Sequence, residues 1–320
     1  MRRFFGILII AILCATPAAA QQRMKVAVIY GTDKPQYIFW ERFRERLDAR
    51  LPGEIEVQIF PNGQLGGERE VAEGAKLGSI QAALSTLANL SAWVPEGQLF
   101  DMPFMFRDLG HVERVMAGPV GADFKARYKV QGFHVLGFIA YGARHIVSTV
   151  PIEAPADVDG KTMRVIQSPV HLELWRSLGA NPTPIPITEA YGALETGVVD
   201  YMDMTKSGFE ALKLYEVAPV FVETGHIWAL GAVYVADGFW QRLTPAQQAA
   251  MQATADELIP VFNRLAAAEQ DKSLAAALAL GAKHVRPDRA PWVDAMAPFW
   301  TAYAGKVGGL DKIQAIVATK

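Results

Sequence analysis

The sequence predicts an α/β protein of two similar lobes facing a cleft. Three observations carry this. Two stretches, 24–84 and 162–202, alternate apolar strands with amphipathic helices over short links, the grammar of a largely parallel sheet. Each holds the same junction, a helix end, a glycine and a strand: Leu77-Gly78-Ser79-Ile80-Gln81 and Thr196-Gly197-Val198-Val199-Asp200. A helical pattern then runs from Thr244 toward Leu280, too long for one lobe and so expected to bridge both.

Arg2 and Arg3, the apolar stretch from Phe4 to Ala15, and Ala18-Ala19-Ala20 after Pro17 have the layout of a secretory signal peptide. The run is short for a membrane span, and no later one is long enough. Leu13 stands before Cys14, where a lipoprotein signal wants a small residue. Cleavage near Ala20 removes Cys14, the sole cysteine, so disulfides and cysteine-based zinc sites are excluded from the mature chain. The 320 residues carry 31 Lys and Arg against 33 Asp and Glu, without a block of like charge. A nucleic-acid partner is not expected, because phosphate binding wants a basic patch.

The first strand runs from Met24 to Tyr30, followed by the polar loop Gly31–Pro35. A helix from Gln36 to Leu51 buries Phe39, Trp40, Phe43 and Leu47 and stops at Pro52-Gly53. Ile55, Val57 and Ile59 alternate with polar residues as a half-buried strand, and Pro61-Asn62-Gly63 turns the chain. A helix from Glu68 to Leu77 stops at Gly78 and leads into a buried strand, Ile80 to Leu84. In the second stretch Thr162 to Gln167 is a strand, Val170 to Leu178 a helix ended by Gly179, and Pro184 to Ile187 an extended piece. Thr188 is read as the N-cap of a helix from Glu189 to Thr196, and Val198 to Met202 as the closing strand. Thr244-Pro245-Ala246-Gln247 is a capping box with proline at the first helical position. A kink is expected at Pro260 and a stop at Gly281. Trp292, Phe299, Trp300 and Tyr303 form a packing stripe on a final helix.

Enzyme constellations are missing: no G-x-S-x-G, no H-E-x-x-H, no G-x-G-x-x-G. Gly160-Lys161-Thr162 is not a P-loop, since Pro155 stands where glycine is needed and a strand follows. The six histidines are scattered without metal-ligand spacing, His226 near Trp228 being the one of interest. No enzyme activity, cofactor or metal is expected.

Three stretches point further: Phe60-Pro61-Asn62-Gly63-Gln64-Leu65-Gly66-Gly67-Glu68-Arg69-Glu70; Phe100-Asp101-Met102-Pro103-Phe104-Met105-Phe106-Arg107-Asp108, continuing to His111 and Gly118-Pro119-Val120-Gly121; and Pro155-Ala156-Asp157-Val158-Asp159-Gly160-Lys161-Thr162-Met163-Arg164-Val165, continuing through Leu178–Pro182 and Tyr191–Asp200. In order and spacing the chain resembles the periplasmic solute-binding subunits of TRAP transporters, the DctP-like family. The resemblance implies a two-lobed periplasmic binding protein fold with hinge strands and a long bridging helix. Residues 24–141 with 230–262 would form lobe I and 142–229 with 263–320 lobe II, after a signal peptide of residues 1–20. It implies a periplasmic monomer that captures a small organic acid and hands it to the membrane subunits of a sodium-driven TRAP transporter. A binding protein serving a periplasmic sensor, or an exported enzyme acting on a carboxylate, are the alternatives; a neighbouring permease or kinase gene, or product formation, separates them.

The resemblance also implies that Arg164 grips the ligand carboxylate and that Arg144 assists. The chemistry agrees, because Arg164 lies in the apolar run Met163-Arg164-Val165-Ile166, where an unpaired guanidinium is costly and a planar fork suits carboxylate. Thr86 and Asn89 follow a strand end, where parallel sheets gather ligands, and Gln167 sits three residues past Arg164. The loop Tyr30–Asp33 is a further candidate wall. Where the family usually has Gly-Gln-Glu-Asn, this chain has Tyr201-Met202-Asp203-Met204. Tyr201, Asp203 and Met204 are therefore expected around the ligand, with the acid kept as Asp203. The methionines and tyrosine predict a monocarboxylate with an apolar or aromatic body rather than a sugar acid.

Overall fold

Two parallel three-stranded units are built alike. The computed structural model describes residues 21–320, and the leader read in residues 1–20 lies outside them. The first unit is β1 (Gln22–Ala27), α1 (Pro35–Arg50), β2 (Ile55–Phe60), α2 (Glu68–Lys76) and β3 (Ala82–Thr86). Then come α3 (Leu87–Leu90), α4 (Leu109–Ala117), α5 (Pro119–Val130) and the long strand β4 (Phe133–Ser148). The second unit is β5 (Thr162–Val165), α6 (Pro169–Ser177), β6 (Asn181–Pro184), α7 (Ala190–Glu195) and β7 (Tyr201–Thr205). It is followed by α8 (Lys206–Ala211), a second long strand β8 (Val220–Ala236), α9 (Asp237–Trp240), α10 (Pro245–Ala279), β9 (Lys283–Val285), α11 (Arg289–Tyr303) and α12 (Leu310–Val317).

In the first unit β1 lies between β2 and β3, parallel to both; in the second, β5 lies between β6 and β7, parallel to both. The two units are not separate sheets. The antiparallel pair β4 and β8 joins them into one sheet of order β2-β1-β3-β8-β4-β7-β5-β6, with β9 beside β8. The β4–β8 pairing shifts register three times, one shift falling between Ala140 and Gly142. Gly142 has φ +120°, a conformation that side chains resist, and pairs with Ala229. The side-chain amide of Gln270 donates to the Tyr141 carbonyl beside it at 2.9 Å.

Helix α10 bridges as expected. Thr244 Oγ1 accepts from the Gln247 amide at 3.2 Å, and Gln247 Oε1 accepts from the Thr244 amide at 2.9 Å. The helix continues through Pro260 and packs on α1, β4 and α8, touching both units. On α11, Trp292, Phe299 and Tyr303 are buried, while the half-buried Trp300 donates its indole N–H to the Pro103 carbonyl at 2.8 Å. Among the described residues no helix is long and apolar enough to cross a membrane.

Several boundaries differ from the sequence reading. Strand β1 ends at Ala27, where its ladder with β2 ends, and not at Tyr30. Strand β3 begins at Ala82, and β7 runs 201–205 rather than 198–202, because pairing with β4 and β5 sets its limits. The extended piece read at 184–187 begins earlier, since β6 is 181–184 alongside β5, and Ile187 already opens a 3-10 turn. Thr188 caps no helix, since it sits within a single 3-10 turn, Ile187–Glu189, ahead of α7.

Candidate functional site

The carboxyl ends of the parallel strands of both units face one another, the place where α/β sheets gather ligands. A narrow inner cavity of about 40 Å³ lies there, lined by Ile29, Tyr30, Glu68, Thr86, Asn89, Arg144, Arg164, Ile166, Ile187 and Met204. It adjoins an outer vestibule of about 470 Å³ that shares Ile29, Tyr30 and Ile187. The units touch across this cleft. Lys34 Nζ reaches Glu210 Oε2 on α8 at 2.5 Å, and the buried hydroxyls of Ser91 and Ser168 are 3.0 Å apart.

Arg164 extends from β5 between Met163 and Val165, which point into the apolar core. It is 3% exposed. Its Nε donates to the Ile185 carbonyl at 2.8 Å, and among the described residues no carboxylate forms an ion pair with it. Burial, and then the Arg144 charge, push its pKa down to about 10, against the pull of Asp203 and Glu68. A buried guanidinium without a paired anion is expensive to maintain, and a bound carboxylate removes that cost.

Arg144, on β4, differs. Its Nε donates to Asp203 Oδ2 at 2.7 Å, and one terminal nitrogen donates to Asp203 Oδ1 and to the Asp203 carbonyl, both at 2.7 Å. Asp203 is 0% exposed. Burial alone would raise its carboxyl, but the charge and hydrogen bonds of Arg144, with His226, hold it well below the usual range. His226 Nε2 lies 3.3 Å from Asp203 Oδ2, and its Nδ1 2.7 Å from Thr224 Oγ1. Arg144 thus lines the cavity already paired, and Arg164 lines it unpaired. No group of three or more histidine, aspartate and glutamate side chains among the described residues is placed to hold a metal.

The opposite wall comes from the first unit. Thr86 caps α3, its Oγ1 accepting from the Asn89 amide at 3.4 Å. Its backbone N–H donates to Glu68 Oε1 at 2.9 Å, its hydroxyl donates to Glu68 Oε2 at 2.7 Å, and Asn89 Nδ2 donates to the same oxygen. Burial pushes the Glu68 carboxyl up despite these donors. Burial, then the nearby Glu68 charge, pushes the Tyr30 hydroxyl far up, so it stays protonated.

Of the residues read from sequence, the structure brings Arg164, Arg144, Thr86, Asn89 and Met204 to the cavity wall. Asp203 lies behind it under Arg144. Tyr201 is not at the cavity: it is fully buried, its ring meeting Trp175 edge-on at 5.9 Å. Gln167 is half-buried and also outside the lining. Met202 belongs to the apolar cluster around Phe209 and Phe221. The expected apolar wall therefore shrinks to Met204 and three isoleucines, and the prediction of an apolar ligand over a hydroxylated one loses its basis. The sequence reading missed Glu68 as a site residue. It was quoted within the Leu65-Gly66-Gly67-Glu68 motif, but an acid in the first turn of a helix reads as dipole compensation.

The profile of the DctP family, bacterial extracellular solute-binding protein family 7, matches residues 26–306. The C4-dicarboxylate-binding periplasmic protein DctP of Shewanella loihica is 29% identical over 94% of this chain and 90% of its own length. A TRAP periplasmic solute-binding protein from a Polaromonas species, bound to D-erythronate, superposes with a TM-score of 0.90 at 25% identity, covering 94% of this chain and 99% of that one. Another from Shewanella oneidensis, with bound succinate, gives a TM-score of 0.90 at 28% identity, over 94% of this chain and 99% of that one.

Proposed function

We infer the function from kinship and site together: the chain belongs to the bacterial extracellular solute-binding proteins of family 7, the DctP family, and is a TRAP transporter solute-binding protein. Its work is to capture a small organic acid and deliver it to the transporter's membrane subunits. The observation that carries this is Arg164, a buried, unpaired guanidinium at the meeting point of two α/β units. Its planar fork takes the ligand carboxylate bidentately, with Arg144 held alongside by Asp203. That structural neighbours hold succinate and D-erythronate, both carboxylates, supports the reading.

Residues 24–141 with 230–262 make lobe I and 142–229 with 263–320 lobe II, hinged where Gly142 pairs with Ala229. The protein works in the periplasm as a monomer after cleavage near Ala20, and it binds its ligand without transforming it. It uses no cofactor and binds no nucleic acid.

Solution scattering tests the reading on protein recovered from the periplasm, whose intact mass should begin near Gln21. A thermal-shift panel of carboxylates first identifies a ligand, since one that binds only the native state raises the midpoint. The radius of gyration should then fall at saturation, as lobes closing on a hinge require. No response to any carboxylate, or an unchanged radius with calorimetrically verified binding, contradicts it.

A further inference from the structure

The carboxylate of Glu68 lines the same narrow cavity as Arg164, although the ligand itself is an anion. Its position is fixed by design of the local chain. Glu68 opens α2, and the segment after β3 meets it with three donors: the Thr86 amide, the Thr86 hydroxyl and the Asn89 side-chain amide. These donors are thereby spent. The Thr86 hydroxyl has one proton, which goes to Glu68, and the Asn89 amide serves Glu68 and Thr86 Oγ1. Thr86 and Asn89 therefore position Glu68 rather than offer donors to a ligand. What this wall presents is an acceptor: Oε2 takes two donors and Oε1 only one, so a lone pair remains on Oε1.

Glu68 and Arg164 form no direct ion pair: the Arg164 Nε hydrogen bond goes to the Ile185 carbonyl, and the Glu68 oxygens accept from Thr86 and Asn89. The two arginines are balanced in formal charge by Asp203 and Glu68. A monocarboxylate thus adds one negative charge to this buried site and a dicarboxylate adds two, the second facing an anionic wall in a region of weak screening.

We propose, building on the carboxylate-binding reading above, that Glu68 is a specificity-determining residue: it accepts a hydrogen bond from a hydroxyl of the ligand, selecting hydroxylated monocarboxylates and rejecting dicarboxylates. The ligand spans the cavity with its carboxylate on Arg164 and a hydroxyl on Glu68. Tyr30, protonated beside Glu68, supplies a donor on the same wall.

The test is calorimetry on the mature protein with D-erythronate, D-galacturonate, butyrate and succinate. At least one of the two hydroxylated acids should bind roughly tenfold or more tighter than both butyrate and succinate, the scale of one charge-assisted hydrogen bond. In Glu68→Gln the preference over succinate should fall by about tenfold or more, because the acceptor weakens and the repulsion disappears. Glu68→Asp keeps the charge on a shorter arm; it should go on rejecting succinate while losing affinity for the hydroxylated acid. A parent that prefers succinate, or a preference unchanged within threefold in a folded Glu68→Gln protein, overturns the proposal. Should Glu68→Gln fail to fold, a folded Glu68→Asp protein that binds the hydroxylated acid within about threefold of the parent, or binds succinate about tenfold or more tighter than the parent does, overturns it equally. These outcomes are distinct from failure of the functional reading, which would show as no carboxylate binding at all, or as binding indifferent to Arg164.

Discussion

Arg164→Ala is expected to weaken carboxylate binding by about 30- to 4,000-fold, while leaving the empty protein nearly as stable as the parent. The first part follows from breaking a desolvated, charge-assisted pair, which costs roughly 2–5 kcal/mol. The second follows from what Arg164 does without ligand. Its hydrogen bond is a single one to the Ile185 carbonyl, and it carries a buried charge beside the like charge of Arg144. Removing it therefore relieves as well as costs. Arg164→Lys should also bind poorly, because a point charge cannot reproduce the fork. Calorimetry gives the affinity and thermal melting the stability. Binding within threefold of the parent would reject the assignment, and a collapse of apo stability would show that Arg164 is chiefly structural.

Asp203→Ala should do the reverse, acting on the fold first. It strands the buried Arg144 guanidinium, and breaking one side of a buried ion pair costs about 3–5 kcal/mol. The sign of the pH dependence is set by the depressed carboxyl. Asp203 in the folded chain ionises well below its unfolded value of about 3.9. Its contribution is therefore complete above that unfolded value and is lost as the pH falls toward the folded one. Denaturant titrations at neutral pH should show the large loss, and the gap between parent and variant should narrow in acid. A loss under about 1 kcal/mol at neutral pH, where surface pairs usually fall, would mean the pair contributes little.

Particular residues show what was legible in the sequence. The bridging helix was, because Thr244, Pro245 and Gln247 write its start in local chemistry, and the structure begins α10 at Pro245. Arg164 was legible as a buried cation because its neighbours in the strand are apolar. The strands β4 and β8 were not delineated. Both are buried on nearly their whole length and lack the alternation that marks a half-exposed strand. Missing them hid the join between the two units, and with it the Arg144–Asp203 pair, whose members are 59 residues apart and meet only because β4 lies against β7. Tyr201 and Met204 looked equivalent within the run Tyr201-Met202-Asp203-Met204. Tyr201 packs on Trp175 while Met204 reaches the cavity, a difference decided by which layer covers each face. Glu68 faces the inner cavity only because α2 and the end of β3 come together there.

The most direct measurement is the crystal structure of the mature protein with the tightest-binding acid of the panel. The ligand carboxylate should sit in the inner cavity with its oxygens about 2.7–2.9 Å from the terminal nitrogens of Arg164, the spacing of a charge-assisted pair. A ligand whose carboxylate lies away from Arg164, or that binds outside the cavity walled by Tyr30, Glu68 and Met204, would contradict the account.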